Sequence, residues 1–371
     1  MVSENICEEE LFYMVALSFV EGVGAKTARR LLDHFDNAKN IFSYVKEERK
    51  SLDIDLTLIS KALNNKSAFD KAEREIAFAE KNNIRVLVLN GEGYPKRLAN
   101  CTDSPLVMYY KGQPVLDSLR VVSIVGSRNA SSYGRQICRD FIKDMKALDP
   151  VIVSGIAYGI DAYAHREALN NNLPTVAVLG HGLDMVYPDA HTRMANEMLE
   201  KGGLLTEFPS RTIPDRFNFP MRNRIIAGLA DVTIVVEAAK RGGALITAEC
   251  ANSYHRDVCA FPGNIYQEYS EGCNYLIKTN RAFPISNVED LEYLMGWDPI
   301  EKRFKPINQK KFSCNPEEKA ILNFLHKNGP ANIDKLIKAT SISVSALSLM
   351  LLQMELKDLV VPLPGKVYMI K

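Results

Sequence analysis

The stretch that decides the fold reads Val121-Val122-Ser123-Ile124-Val125-Gly126-Ser127-Arg128-Asn129-Ala130-Ser131-Ser132-Tyr133-Gly134. Its first five residues form an almost continuous β-branched run, the pattern of a strand buried on both faces. A helical period follows over Tyr133–Ala147. A glycine at the carboxyl end of a strand lets the backbone approach a ligand closely, and the free amides of a helix start attract an anion. Arg128 adds a planar charged fork suited to phosphate. The plainer reading is a glycine that turns the chain and an arginine paired with a carboxylate. Neither GxGxxG nor GxxxxGK[ST] is present, so this is not the phosphate loop of a dehydrogenase or a P-loop ATPase.

The same alternation extends outward from Arg85 to about Pro284. Strands are expected at Val86–Leu89, Val107–Tyr110, Val121–Val125, Val151–Val153, Thr175–Leu179, Val232–Val236 and Val258–Phe261. Helices are expected at Tyr133–Ala147, Ala162–Asn170, Arg193–Lys201, Asn223–Leu229 and Leu245–His255. Buried strands alternating with helices predict an α/β fold, a parallel sheet covered on both faces. Three more glycine-bearing loops follow strands: Ser154-Gly155 through Gly159-Ile160-Asp161, then Gly180-His181-Gly182-Leu183-Asp184, and Arg241-Gly242-Gly243-Ala244. Ligands of open α/β sheets bind outside the carboxyl ends of the strands, and four such loops along one edge make a concave surface rich in backbone amides.

Flanking this region the periods change. Residues 8–80 read as helices interrupted at Gly22-Val23-Gly24. A polar stretch over 297–314, with Pro299 and Pro306, reads as a linker. From Asn315, which can cap a helix with Pro316 in its first position and Glu317-Glu318 in its first turn, three helices and a strand pair across Pro364-Gly365 give the layout of a winged helix. The expected domains are therefore 1–80, 81–296 and 315–371, joined by the linker. The helix in the recognition position of that layout, Ser343 to Lys357, offers Ser343, Ser345, Ser348 and Gln353 but no base before Lys357. That composition suits packing or a partner better than groove reading.

Composition narrows the function. In 371 residues, 46 Lys and Arg face 45 Asp and Glu for a net charge of +1, with 46% hydrophobic and 25% charged residues. These values exclude a disordered chain, a collagen-like repeat and a histone-like polycation, so any polyanion site is local. Positive charge is indeed gathered. Gly126–Lys146 holds five bases against two acids, and Glu207–Ala230 four against two, whereas the first ten residues hold four acids and no base. The seven cysteines are scattered without a CxxC, which reads as thiols in a reducing compartment. With no signal segment and no apolar run of roughly 18–20 residues, a cytoplasmic protein without a membrane span is expected. Asp161 and His165 are four apart and could share a helix face as metal ligands, but a helix-terminus hydrogen bond is the favoured reading, and no metal or cofactor is expected.

Arg216-Phe217-Asn218-Phe219-Pro220-Met221-Arg222-Asn223-Arg224 interleaves rings and bases just before a helix. Rings beside phosphate-binding cations are what a single strand of nucleic acid requires. In isolation the stretch reads as two core rings and three solvated arginines.

Together these segments resemble the DNA-processing protein A (DprA, or Smf) family. The resemblance rests on Ile124-Val125-Gly126-Ser127-Arg128-Asn129, on Ser154-Gly155 through Asp161, and on Ala177–Gly180 with Gly182-Leu183-Asp184 and Tyr187-Pro188. It continues through Phe219-Pro220 with Arg222–Leu229, Val235–Ala238 and Leu245–Ala248. It implies a Rossmann-like domain that binds single-stranded DNA, forms a homodimer and loads the RecA recombinase onto incoming strands in natural transformation. It also implies an N-terminal SAM or helix-hairpin-helix-like domain, for which Val20–Ala28 is similar to the hairpin. Carried over by position, Gly126, Ser127, Arg128 and Asn129 would form a phosphate cradle. Phe219, Arg222, Asn223 and Arg224 would stack on bases and clamp the backbone. Ser154, Gly155, Gly159, Arg241, Gly242 and Gly243 would contribute from the neighbouring loops. The chain departs from the family at Tyr158, where arginine is usual, and at Gly242-Gly243-Ala244, where Ser-Gly-Ser is usual.

Two functions follow from these readings. The leading one is a non-catalytic mediator that grips single-stranded DNA. The other is an enzyme acting on a nucleotide, because Val236-Glu237 through Gly242-Gly243 to Glu249 is distantly similar to the glycine loop and glutamate of lysine-decarboxylase-like phosphoribohydrolases. Glu249 would be the acid or base, although the expected Pro-Gly-Gly-x-Gly-Thr is missing.

Overall fold

The β-branched runs become strands because they can be covered on both faces. A computed structural model describes residues 7–44, 66–297, 315–340, 342–357, 359–363 and 367–370. The main sheet holds β1 (Arg85–Val88), β2 (Val107–Gly112), β3 (Val121–Val125), β4 (Val151–Ser154), β5 (Thr175–Val178), β6 (Gly203–Thr206), β7 (Val232–Val235), β8 (Asp257–Ala260) and β9 (Phe283–Pro284). Their spatial order is β1-β2-β6-β5-β4-β3-β7-β8-β9. The chain steps from β3 through β4 and β5 to β6 on one side, then returns to place β7, β8 and β9 on the other. The order thus reverses between β3 and β7, where an open α/β sheet leaves a crevice at its carboxyl edge.

Three features depart from the sequence reading. β2 alone runs against its neighbours, pairing antiparallel with both β1 and β6. Its Val107–Tyr110 run is as fully buried as the parallel strands, and apolar patterning reports burial rather than direction. β6 and β9 were not expected, since four residues opening on a glycine and two residues bearing a proline show no period. The helix expected at Asn223–Leu229 begins five residues earlier and spans Asn218–Leu229. Pro220 is tolerated there because the N–H it lacks belongs to a first turn that has no intrahelical partners.

The N-terminal helices Glu8–Ser18, Ala25–Phe35, Ala38–Tyr44 and Lys66–Lys81 pack into the same core as β1 and β2, with Met14, Leu17, Ala28 and Leu31 buried beside Leu87 and Met108. The break between the first two falls at Gly22, whose φ of +86° suits a residue without a side chain. Arg29 Nη1 donates to Cys101 O at 2.7 Å and ties these helices to the segment before β2. Positions 45–65 of the expected helical region lie outside the described residues.

Chain contacts separate two units, Met1–Trp297 and Asp298–Lys371. The second opens on the helix Pro316–Asn328, where Asn315 and Glu318 form a reciprocal capping box. Helices Ile333–Thr340 and Val344–Leu356 follow. β10 (Ala331–Asn332), β12 (Val367–Ile370) and β11 (Val360–Leu363) make an antiparallel sheet in that spatial order. Ile321, Leu336, Leu347 and Leu351 form its core. This is a winged helix, with a short extra strand, β10, that two residues could not announce. On Val344–Leu356 the exposed face carries Val344, Ser345, Ser348, Leu349, Leu352 and Gln353, none of them basic. The expected linker beyond Trp297 and the Pro364-Gly365 turn lie outside the described residues. Among the described residues no single helix is long and apolar enough to cross a membrane.

Candidate nucleic-acid interface

At the switch point the loops after β3, β4, β5 and β7 and the start of the Asn218–Leu229 helix enclose a cleft of about 810 Å³. Gly126, Ser127 and Arg128 enter it from β3, and Ala157 and Asp161 from the loop and helix after β4. Met185 and Tyr187 enter from the segment after β5, Gly242 and Gly243 from the one after β7. Gly159 lets two of these loops close on each other. Its φ is +78°, and a Cβ there would sit 2.1 Å from Ser127 O.

The floor of the cleft presents a charged aromatic platform. The exposed Arg128 guanidinium lies 5.5 Å from the centroid of the Phe219 ring, and Tyr187 lies 6.3 Å from the same ring at an interplanar angle of 30°. Phe219 is only half-buried, so it is not the core residue that the plainer sequence reading made it. A π face beside an exposed cation suits a flat, anion-bearing ligand.

The helix starts around this platform are not equivalent. Helix Ser132–Asp144, directly after the β3 loop, is filled from within. Buried Glu237 accepts from Ser131 N at 2.9 Å and from the Ser131 hydroxyl, and Ser131 Oγ accepts in turn from Gly134 N at 3.2 Å. The expected anion site at this helix start is therefore occupied by a carboxylate of the chain itself. Helix Ile160–Asn170 carries Asp161 in its first turn, buried against Arg222 and the amides of Ala157 and Gly155. Helix Gly243–Ser253 has neither a side-chain cap nor an acid in its first turn, and Gly242, Gly243, Ala244 and Thr247 all line the cleft. Of these three, its start is the one left open to an external anion.

Several residues expected to touch a ligand face inward. Ser154 is fully buried and donates to Ile124 O at 2.6 Å. Arg222, also buried, donates from Nη1 to Gly155 O at 2.7 Å and to Val178 O, and its guanidinium fills the space a Cβ at Gly155 would need. It closes the cleft wall as a clamp between the ends of β4 and β5. Burial pushes its pKa down to about 10, partly offset by Asp161. Arg224 points the other way, into an ion pair with Glu207 and a bond to Asp103 O, and Glu207 is itself pushed up by burial. Two apart on the helix, the arginines point to nearly opposite sides and are both held by the protein, Arg222 at the cleft wall and Arg224 away from the cleft. Asn223 donates from Nδ2 to Gly243 O at 3.2 Å, fixing the β7 loop. Asn129 is exposed and donates to Tyr269 Oη at 3.1 Å, while Arg241 is exposed beside Gly242. Tyr158, in place of the family's arginine, is half exposed and meets His191 edge-on at 5.1 Å. What sequence reasoning missed is the outward pair Arg216 and Phe217, together with the internal carboxylates. The alternation of rings and bases at 216–224 was the signal, but its helical phase was not.

Asp161 and His165 are not arranged as a metal pair. Buried His165 exchanges a hydrogen bond with Thr175 Oγ1 at 2.7 Å through Nδ1, and no group of three potential ligands occurs among the described residues. Burial pushes the His165 pKa down to about 3, and the Arg222 charge pushes it the same way. Since the unfolded chain takes up a proton near pH 6.5 and the folded one does not, this stability is complete above 6.5 and drains away as pH falls toward 3. Asp161, raised by burial, has the opposite sign and does not drive acid unfolding. Between neutral pH and about pH 5, His165→Gln should therefore lose about 2 kcal/mol less stability to urea unfolding than wild type, while buried His181, also held below its usual value, adds a loss of the same sign to both proteins. Identical pH slopes in the two proteins would refute it.

Comparison with known proteins adds two family matches. The DNA recombination-mediator protein A family matches residues 85–295, and the DprA winged helix domain matches residues 307–366. The chain is 35% identical over 300 residues to Protein Smf of Escherichia coli (strain K12), covering 79% of each. The X-ray structure of DNA processing protein A (DprA) from Streptococcus pneumoniae aligns with a TM-score of 0.63 at 32% identity, over 79% of this chain and 99% of that one. DNA processing protein A from Helicobacter pylori, whose structure was described for its single-stranded DNA binding mode, aligns with a TM-score of 0.53 at 27% identity, over 58% of this chain and 97% of that one.

Proposed function

Since this chain belongs to the DNA recombination-mediator protein A family, we propose that its switch-point cleft holds single-stranded DNA without cutting or modifying it. The observation that carries the reading is the exposed Arg128 guanidinium over the half-buried Phe219 ring, a cation and a stacking face at one spot in the cleft. The open start of helix Gly243–Ser253 would take a phosphate beside them. Arg128, Phe219, Tyr187 and Gly242-Gly243 are the contact residues, with Arg222, Asn223, Ser154, Gly155 and Gly159 as the frame that holds them. On the family's pattern the protein acts in the cytoplasm as a homodimer and hands the bound strand to RecA. Its helical region 1–80 and winged helix 315–371 flank the DNA-binding domain 81–296. Against the nucleotide-hydrolase alternative, its candidate acid Glu249 pairs with Arg281 at 3.3 Å on the surface rather than lining the cleft.

Fluorescence anisotropy with labelled single-stranded and duplex oligonucleotides of matched length tests the reading. The single strand should bind at least ~10-fold more tightly, since a duplex hides its base faces. Its affinity should fall steeply with salt as counterions are released, by roughly 0.7 log unit per log unit of salt for each phosphate neutralised. Equal affinity for strand and duplex would overturn it.

A further inference from the structure

The Phe219 platform is not the only one at the mouth of the cleft. Arg216 lies with its guanidinium 4.7 Å from the centroid of the Phe217 ring, and that ring is 65% exposed. This geometry is held in place. Asp215 accepts from Phe217 N at 2.8 Å through Oδ1 and from Asn218 N at 3.1 Å through its carbonyl, so Phe217 sits in a fixed turn immediately before the Asn218–Leu229 helix. Residues two apart around a helix start point to nearly opposite sides. Phe219 accordingly faces the cleft, while Phe217 faces outward across the helix end. Arg216 lines the cleft, and its guanidinium lies over Phe217.

We infer that Arg216 and Phe217 form a second base-stacking step, taking the nucleotide next to the one on Phe219 as the strand leaves the cleft over the start of the Asn218–Leu229 helix. The inference rests on the cleft holding single-stranded DNA. Its own support is the repeat of one chemical unit: a guanidinium lies over the half-buried Phe219 ring inside the cleft and another over the exposed Phe217 ring on its rim. Phe217 is largely exposed, so the arginine leaves most of the ring open to a flat ligand. The occupant that matches a bare ring with a cation on it is an unpaired base with its phosphate.

The test uses the full chain and oligo-dT probes. Phe217→Trp should still bind oligo-dT, by anisotropy, and lose much of its added tryptophan emission when the strand binds. The one native tryptophan, Trp297, stacks with Arg120 and supplies a background read from the wild type. Phe217→Ala should bind a long oligo-dT roughly 10-fold more weakly while keeping wild-type melting behaviour. Unchanged affinity in Phe217→Ala, or unchanged emission from Phe217→Trp while anisotropy reports binding, would overturn the second step and leave the cleft reading standing. Failure of the wild-type protein to bind oligo-dT would instead overturn the cleft reading, and the second step with it.

Discussion

Arg222→Met should lower the free energy of unfolding by about 3–5 kcal/mol, the scale for removing one partner of a buried charge pair. The arginine is buried, and three groups depend on it. The Asp161 carboxylate would face burial without its nearby positive charge, and the carbonyls of Gly155 and Val178 would lose their donors. Asp161→Asn in the same chain should restore part of the loss, since a neutral amide no longer needs the guanidinium. A double-mutant cycle in urea reads the coupling directly. Single and double variants that differ from wild type additively would rule out the coupling. The same clamp sets the wall beside Phe219, so the single variant should also bind a single strand more weakly in proportion to its disorder.

The second large effect concerns the ligand alone. Arg128→Ala should raise the Kd for oligo-dT by roughly 10- to 100-fold, the combined scale of a lost phosphate contact and a lost cation over a ring. Because the side chain is exposed, stability should stay within about 0.5 kcal/mol of wild type. The salt slope should flatten by about 0.7, one phosphate's worth. Arg128→Lys keeps the charge but not the planar face, and should recover the salt slope more fully than the affinity. A folded Arg128→Ala protein that binds like wild type would remove this residue from the site.

Much of this was legible in the sequence, and what was not has definable causes. The edge bearing the four glycine loops could be read because strand burial and loop position follow from composition at short range. The orientation of Arg222 and Arg224 could not, because it depends on where the helix begins, and Pro220 disguised a helical turn as a loop. Glu237 stands 106 residues from Ser131, and nothing local marks it as the carboxylate that fills that helix start. The direction of β2 was hidden for a similar reason, since its partners β1 and β6 lie far from each other in the chain.

The carboxylate at that helix start also bears on how cargo is given up. A fold whose helix amides waited for phosphate would be incomplete when empty, and each release would cost it part of its own architecture. Glu237 and Asp161 satisfy two of the three helix ends from inside, so the vacant protein is already a finished object. Little of the fold's stability is then tied to whether the cleft is filled.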